Sequence, residues 1–412
     1  MKKKVILQIN PVANVGSTGK DAEGIGKAAI EMGWDSWIAY GKKCRPSASH
    51  LLRIGTDIDY KLHAFFSRLT DGVGLYSKSA TKKFLKKVDE IQPDLVILHN
   101  IHGYYVNYPM LFDYLKSHKI PVIYSLHDCW AFTGHCCYFT TANCERWKTG
   151  CHSCPQLNTY PKSWFVDNSK RNYELKKQLC GSLSQMIVVG VSDWLCNLTR
   201  ESFLGKYPVI RIYNGVNTSV FKYRDAKQNL WPGKKVIMGC ASRWGERKGV
   251  NDYIRLSKIL PSDYLILMIG RFDDNEFKKS LPSNIISIDR TDNPEELAEY
   301  YSRADVAICL SYMETMGLTP VEAMACGTPV VVYGATALPE LVTPQTGLVA
   351  EFGNEHAVLD AINSILSKPK DYYSDNCRKR ATECFDEIAQ FKQYIELFNK
   401  FPLSNGSVES NK

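Results

Sequence analysis

Short apolar runs alternate with helical patterns along almost the whole chain. Residues 5–10 (VILQIN) precede a helical stretch from about Asp21 to Met32. Residues 94–100 (DLVILHN) follow the basic helix TKKFLKKVDEI, with Gln92-Pro93 as the break. Residues 121–128 (PVIYSLHD) follow a helix over 109–117, and residues 185–193 (QMIVVGVSD) lead into another. These runs are rich in Val, Ile and Leu rather than alternating with polar residues, the pattern of parallel strands covered on both faces. Strand–helix–strand order predicts right-handed crossovers and a doubly wound sheet.

A second series follows a break. Residues 217–234 (NTSVFKYRDAKQNLWPGK) lack a clear period and carry Trp231-Pro232-Gly233, which places the domain linker there. Then come KVIMGCAS, DYLILMIG, NIISID, DVAICLS, PVVVYG and GLVAE with helices between. The prediction is an α/β chain of two Rossmann-like, doubly wound parallel-sheet domains facing across a cleft. The first covers 1–216, with a Cys-rich insertion at 129–160, and the second covers 217–385. Residues 386–412 are read as an amphipathic helix crossing back onto the first domain, ending in a frayed polar tail. Ligands of such sheets gather at the carboxyl ends of the strands.

Length and composition bound the class. The 412 residues suit two or three domains. With 44% hydrophobic and 23% charged residues, the chain is ordinary globular protein. No apolar run reaches the roughly 18 residues of a spanning helix. The start MKKKVILQIN imitates a signal peptide, but Gln8 and Asn10 cut the apolar run short. It reads as a basic tail before a first strand, in a cytoplasmic protein. The net charge of +8 is a mild excess, suited to an anionic substrate or membrane surface and weak support for nucleic acid. Five of the 14 cysteines crowd between Cys136 and Cys154. Without a secretory signal, a disulfide framework is not expected.

Two phosphate-loop patterns fail. NVGSTGKD has Asn14 where the Walker pattern needs Gly, and Asp21 where it needs Ser or Thr. GIGKAA lies well past the strand, inside a helical pattern. What remains is Gly16-Ser17-Thr18-Gly19, read as a glycine-rich turn between strand and helix whose backbone N–H groups can approach an anion or sugar, or as a plain turn. The densest motif is residues 305–329, DVAICLSYMETMGLTPVEAMACGTP. Thr319 reads as an N-cap, Pro320 as the first helical residue and Glu322 as the third, so Glu322 has a local reading as a capping box. Glu314 has none. It falls on a loop after a strand, beside a helix start whose dipole favours an anion.

ETMGLTPVEAMACGTPVV resembles the E-x7-E segment of retaining glycosyltransferase family four, which has the GT-B fold. YNGVN (213–217), ASRWGERKG (241–249), the strand ending at Gly270, AEYYSRADVAICLS and LPELVTPQTGLVAEFGN match in order. HNIHGYYVN (99–107) and HDCWAFTGHC (127–136) are similar to the branch that builds bacterial capsule, exopolysaccharide and O-antigen chains. The resemblance implies a UDP- or GDP-sugar donor, a lipid-linked or oligosaccharide acceptor and no catalytic metal. It implies Arg243 and Lys248 on the donor diphosphate, Glu322 on the ribose and Glu314 on the transferred sugar. Gly317 and Leu318 would offer backbone N–H groups, and His127 would lie near the sugar; His99 and His102 are weaker candidates. Asn217 stands where the family usually has Asp, and Met316 where Phe is common. The first turn departs from a clean Gly-Gly pair.

Cys136, Cys144, Cys151 and Cys154 form C-x7-C-x6-C-x2-C, with His135, Cys137 and His152 as spares. Four thiolates would close a structural zinc site; free thiols or a redox pair are the alternatives. Lys82, Lys83, Lys86 and Lys87 lie along one helix side and could rest on anionic lipid, or be a solvated face. A sugar-nucleotide epimerase on the same fold, or a non-catalytic interaction protein using the Cys-rich module, are the competing functions.

Overall fold

A computed structural model describes residues 3–224 and 230–401. Residues 225–229 of the expected linker and the tail at 402–412 lie outside the described residues, as do the first two of the basic start. The chain divides into two compact units: Met1–Gly190, Cys196–Ile212 and Gln390–Lys412 form one, Val191–Leu195 and Tyr213–Ala389 the other.

The first unit is built on seven strands: β1 Val5–Ala13, β2 Asp35–Cys44, β3 His50–Arg53, β4 Leu95–Leu98, β5 Val122–Leu126, β6 Met186–Gly190 and β7 Val209–Arg211. Their order is β3-β2-β1-β4-β5-β6-β7, every pair parallel. The apolar runs at β1, β4, β5 and β6 supply the buried centre. The edges β3 and β7 are three or four half-exposed residues, too short to register as apolar runs. Ile25 and Ala29 from the helix Gly16–Glu31 pack with Ile6, Ile97 and Ile123. Phe391, Tyr394 and Ile395 of the last helix join the same cluster, and Tyr394 shares a 2.8 Å hydrogen bond with Ser125. Each such apolar side chain contributes about 1.5–3 kcal/mol when fully buried. Gly24 makes room for this docking, since a Cβ there would sit 2.0 Å from the Phe391 ring.

One expectation is corrected at the end of β1. The strand continues through Pro11 to Ala13, with its register shifting between Asn10 and Val12. The turn therefore shrinks to Asn14 and Val15, and Gly16–Gly19 is the first turn of the helix rather than a glycine-rich loop. Gly19 is buried facing Val12, where a Cβ would meet its Cγ2 at 3.1 Å, so it serves close helix–strand packing.

The second unit holds β8 Lys235–Arg243, β9 Tyr264–Arg271, β10 Ile285–Ile288, β11 Val306–Cys309, β12 Val330–Tyr333 and β13 Gly347–Ala350. The order is β10-β9-β8-β11-β12-β13, again all parallel. In both sheets the winding reverses beside the first strand of the unit, between β1 and β4 and between β8 and β11. At such a reversal the connections leave to opposite faces and open a crevice at the strand ends.

Candidate active site

In the second unit the reversal gathers the basic motif and the first glutamate. After β8 the chain makes a 3-10 turn at Glu246–Lys248, and after β11 it loops through Glu314. Lys248 donates to Glu314 in an ion pair whose side chains are only 22% and 13% exposed. The two loops are stitched along their backbones as well. Tyr312 N–H donates to Arg247 O at 2.9 Å, and the Arg247 guanidinium donates to Met313 O at 3.0 Å. Thr336 Oγ1 accepts from Glu314 N–H at 3.0 Å. Burial pushes the Glu314 carboxyl up, but the Lys248 ammonium, with Arg247 behind it, outweighs burial and holds it below its ordinary range. The result is an ionised carboxylate fixed next to a cation at a strand end.

Arg243 ends β8 and is mostly exposed, its Nε 3.1 Å from Asp273. Gly270, near the end of β9, has φ 140° and lies where a Cβ would sit 1.9 Å from Ala241 O, so only glycine fits. Sequence reasoning missed Asp252. It is fully buried and accepts from Tyr312 Oη at 2.9 Å and Tyr333 Oη at 2.8 Å, tying the Glu314 loop to the helix Val250–Ile259. An Asp in the first turn of a helix looks like ordinary capping, so nothing in the sequence marked it.

The capping-box reading of Glu322 is corrected. The helix begins at Leu318, not Pro320, with Gly317 as N-cap at φ 94° and no side-chain cap. A Cβ on Gly317 would meet Leu338 at 2.8 Å. Thr319 and Pro320 are the second and third helical residues, and proline is tolerated there because first-turn N–H groups have no intrahelical partner. The N–H of Leu318 is one of these. Glu322 accepts from Tyr301 Oη at 3.2 Å instead of closing a cap.

In the first unit His99 follows β4 and His127 follows β5. Their rings stack at 5.3 Å, with His99 Nδ1 3.0 Å from His127 Nε2. Gln8, the polar residue inside the β1 run, orders their protons. Its Nε2 donates to Ala22 O at 2.6 Å, so its Oε1 faces His99 Nε2 at 3.1 Å and must accept. His99 is held neutral, its pKa driven well down by burial and by His127. With Nε2–H donating, its Nδ1 accepts, so His127 Nε2 carries the hydrogen. Burial pushes the His127 pKa down to about 4, against the opposing pull of Asp128, so at neutral pH His127 is an uncharged ring with its lone pair on Nδ1. That atom lies 3.8 Å from Asp21 Oδ2. His102 is engaged separately, with Nε2 2.9 Å from Asp128 Oδ2. Cys136, Cys144, Cys151 and Cys154 all line one cavity of the same unit.

Residues 221–383 match the family described as Glycosyl transferases group 1. A putative colanic acid biosynthesis glycosyl transferase of Escherichia coli K12, WcaC, is 22% identical over 307 residues, 68% of each chain. Sucrose-phosphate synthase from Thermosynechococcus elongatus superposes with a TM-score of 0.72 at 18% identity, covering 97% of this chain and 99% of that one. Anabaena HepE in complex with UDP gives 0.67 at 15%, covering 97% and 100%. At such identities the two structures speak for the fold. The epimerase and the non-catalytic readings find no support beside these matches. With the family match over the second unit and GT-B neighbours over the whole chain, this protein carries a glycosyl transferases group 1 domain and is a glycosyltransferase of GT-B fold.

Proposed function

We propose that the enzyme moves a sugar, with retention of anomeric configuration, from a nucleoside-diphosphate donor to a growing bacterial surface glycan. The observation that carries this reading is the Lys248–Glu314 pair beside the uncapped start of the helix Leu318–Ala325, at the winding reversal of the second sheet. Charge grows on the leaving diphosphate as the glycosidic bond breaks, and cations already in place lower that barrier without reorganising. Lys248 and Arg243 are assigned to it, with the Leu318 N–H and the helix dipole beside them. Glu314 is assigned to the transferred sugar and Glu322 to the ribose. Held neutral with its lone pair on Nδ1, His127 can accept a hydroxyl hydrogen without competing as a cation. The Anabaena neighbour was solved with UDP, which supports a uridine donor, and a GDP-sugar is the other arm of the test.

The same reading gives the enzyme a lipid-linked acceptor at an anionic membrane. Lys82, Lys83, Lys86 and Lys87 are exposed on the helix Lys78–Ile91, whose Phe84 and Val88 are buried. Lys87 is paired with Glu90 at 2.7 Å. Phe65 and Phe66 stand exposed on the helix Asp57–Thr70, and Phe65 packs 5.9 Å from Trp164, next to the 81% exposed Phe165. Among the described residues no helix is long and apolar enough to cross a membrane.

The test is transfer from a defined UDP- or GDP-sugar, with nucleoside diphosphate release followed and the product anomer read by NMR. Retention supports the proposal. An inverted product, or sugar nucleotide consumed without transfer, contradicts it.

A further inference from the structure

The segment between β5 and the helix Ser169–Gly181 carries little regular secondary structure. Its only regular pieces are three 3-10 turns, Trp130–Phe132, Thr140–Ala142 and Arg146–Lys148. Yet it encloses a cavity onto which Cys136, Cys144, Cys151 and Cys154 all open, walled by the stacked rings of Phe139 and Trp147 at 5.1 Å. The thiols of Cys136 and Cys154 contact each other.

The cysteine pair 151/154 is held by the geometry that suits thiolates. Gly134 N–H donates to Cys151 Sγ at 3.2 Å, and Gln156 N–H, two residues on, acts on the Cys154 sulfur. Between them Ser153 takes a left-handed φ of 44°. The Arg146 guanidinium donates to the carbonyls of His152, at 2.9 Å, and Ser153. A second, independent feature points the same way. His135 lines the cavity, is 2% exposed and donates from Nδ1 to Asp71, which leaves its lone pair on Nε2. That Nε2 is buried and has no hydrogen-bond partner. Four sulfurs and an imidazole lone pair around one enclosed space are electron-pair donors that a soft cation satisfies and water does not. The carboxylate behind the imidazole is the usual support of a metal-facing histidine. Lys176 and Arg146 stand near enough to offset the net negative charge of such a centre.

We propose that this cavity binds one structural zinc ion through Cys136, Cys144, Cys151 and Cys154, with His135 facing the same centre. Among the described residues the donors already within 4.8 Å of one another are a different set, His102, Asp128 and Cys137. That set is spent on itself. His102 Nε2 and Asp128 Oδ2 are hydrogen-bonded to each other at 2.9 Å, and Asp128 Oδ1 accepts from Trp130 N–H at 2.9 Å. At the cysteine cavity zinc binding draws the sulfurs inward onto one ion. The segment begins immediately after His127 and Asp128, so the ion stiffens the frame that carries them without taking part in transfer.

Full-length protein purified without added metal tests this by elemental analysis. About one zinc per chain is expected, released by a thiol-blocking reagent. Exchange for cobalt should give thiolate-to-cobalt charge-transfer bands of a tetrahedral site. Cys151→Ser should lose the metal, and brief EDTA treatment should leave transfer rates unchanged. Metal-free wild-type protein, whether its cysteines are freely reactive or joined in a Cys136–Cys154 disulfide by mass spectrometry, would overturn the site. Wild-type metal content decides the matter even if Cys151→Ser does not fold.

Discussion

Replacing Lys248 by Met keeps the aliphatic stem and removes the ammonium, leaving Glu314 buried with Arg247 as its remaining cation. Two unit charges about 4 Å apart attract by about 4 kcal/mol at an effective dielectric near 20. Residual exposure of 22% and 13%, and the help of Arg247, reduce the loss. We expect the second unit to lose about 2–3 kcal/mol at pH 7, below the 3–5 typical of a fully buried broken pair. The sign with pH follows from Glu314. In the wild type its carboxyl lies below the ordinary range, so the pair stabilises above the unfolded pKa of about 4.3 and that contribution fades as pH falls through the folded value. In the variant burial is opposed only by Arg247 and a Ser311 hydrogen bond, so the folded pKa rises and the charged form is penalised at neutral pH. Protonation removes that penalty, so the gap between variant and wild type should close toward pH 4. Urea midpoints from pH 4 to 8 measure it. Lys248→Met with Glu314→Gln should recover most of the stability, because removing both charges leaves none uncompensated. Transfer should stay lost. A gap independent of pH, or a double variant no more stable than the single, refutes the reasoning.

Glu322→Gln should melt like the wild type, since the residue closes no cap and Gln still accepts from Tyr301, while donor binding weakens; the reverse pattern makes Glu322 merely structural. Gln8→Glu should charge His99, turn both its nitrogens into donors and move the His127 hydrogen from Nε2 to Nδ1. Ring 15N shifts should show that exchange together with transfer slowed at least about tenfold, or about 1.4 kcal/mol, and unchanged His127 shifts would dissolve the relay. Replacing Lys82, Lys83, Lys86 and Lys87 by Gln should abolish binding to anionic vesicles, at about 1 kcal/mol per free lysine. Wild-type binding should itself vanish in high salt; equal binding to neutral vesicles means the helix is only solvated.

The strands that decide the fold were legible because parallel strands buried on both faces are runs of Val, Ile and Leu, and β1, β4, β5, β6 and all six strands of the second sheet appear as such. β2, β3 and β7 did not, because half-exposed outer strands do not need an unbroken apolar run. The helix starts at Leu318, two residues before the Pro320 that local chemistry suggests. Thr319-Pro320 has the local chemistry of an N-terminus, yet the left-handed Gly317, wedged against Leu338, starts the helix earlier. Glu314 stood out as an acid without a local role, whereas Lys248 was marked only by the resemblance that ASRWGERKG carries. Their pairing was hidden, because 66 residues separate them and only sheet order joins their loops. Gln8 and Asp252 act through contacts 91 and 81 residues away, with His99 and Tyr333, which no local pattern records.

The most direct test of the donor site is a panel of UDP- and GDP-sugars read by thermal unfolding of the wild type and Arg243→Ala. Arg243 is 70% exposed in its pair with Asp273, an interaction worth about 0–1 kcal/mol, so the unliganded proteins should melt alike. A true donor at about 100 times its Kd should stabilise the wild type by about 2.7 kcal/mol, and Arg243→Ala should lose most of that shift. No nucleotide sugar shifting the wild type, or an equal shift in the variant, would contradict a donor held at the carboxyl end of β8.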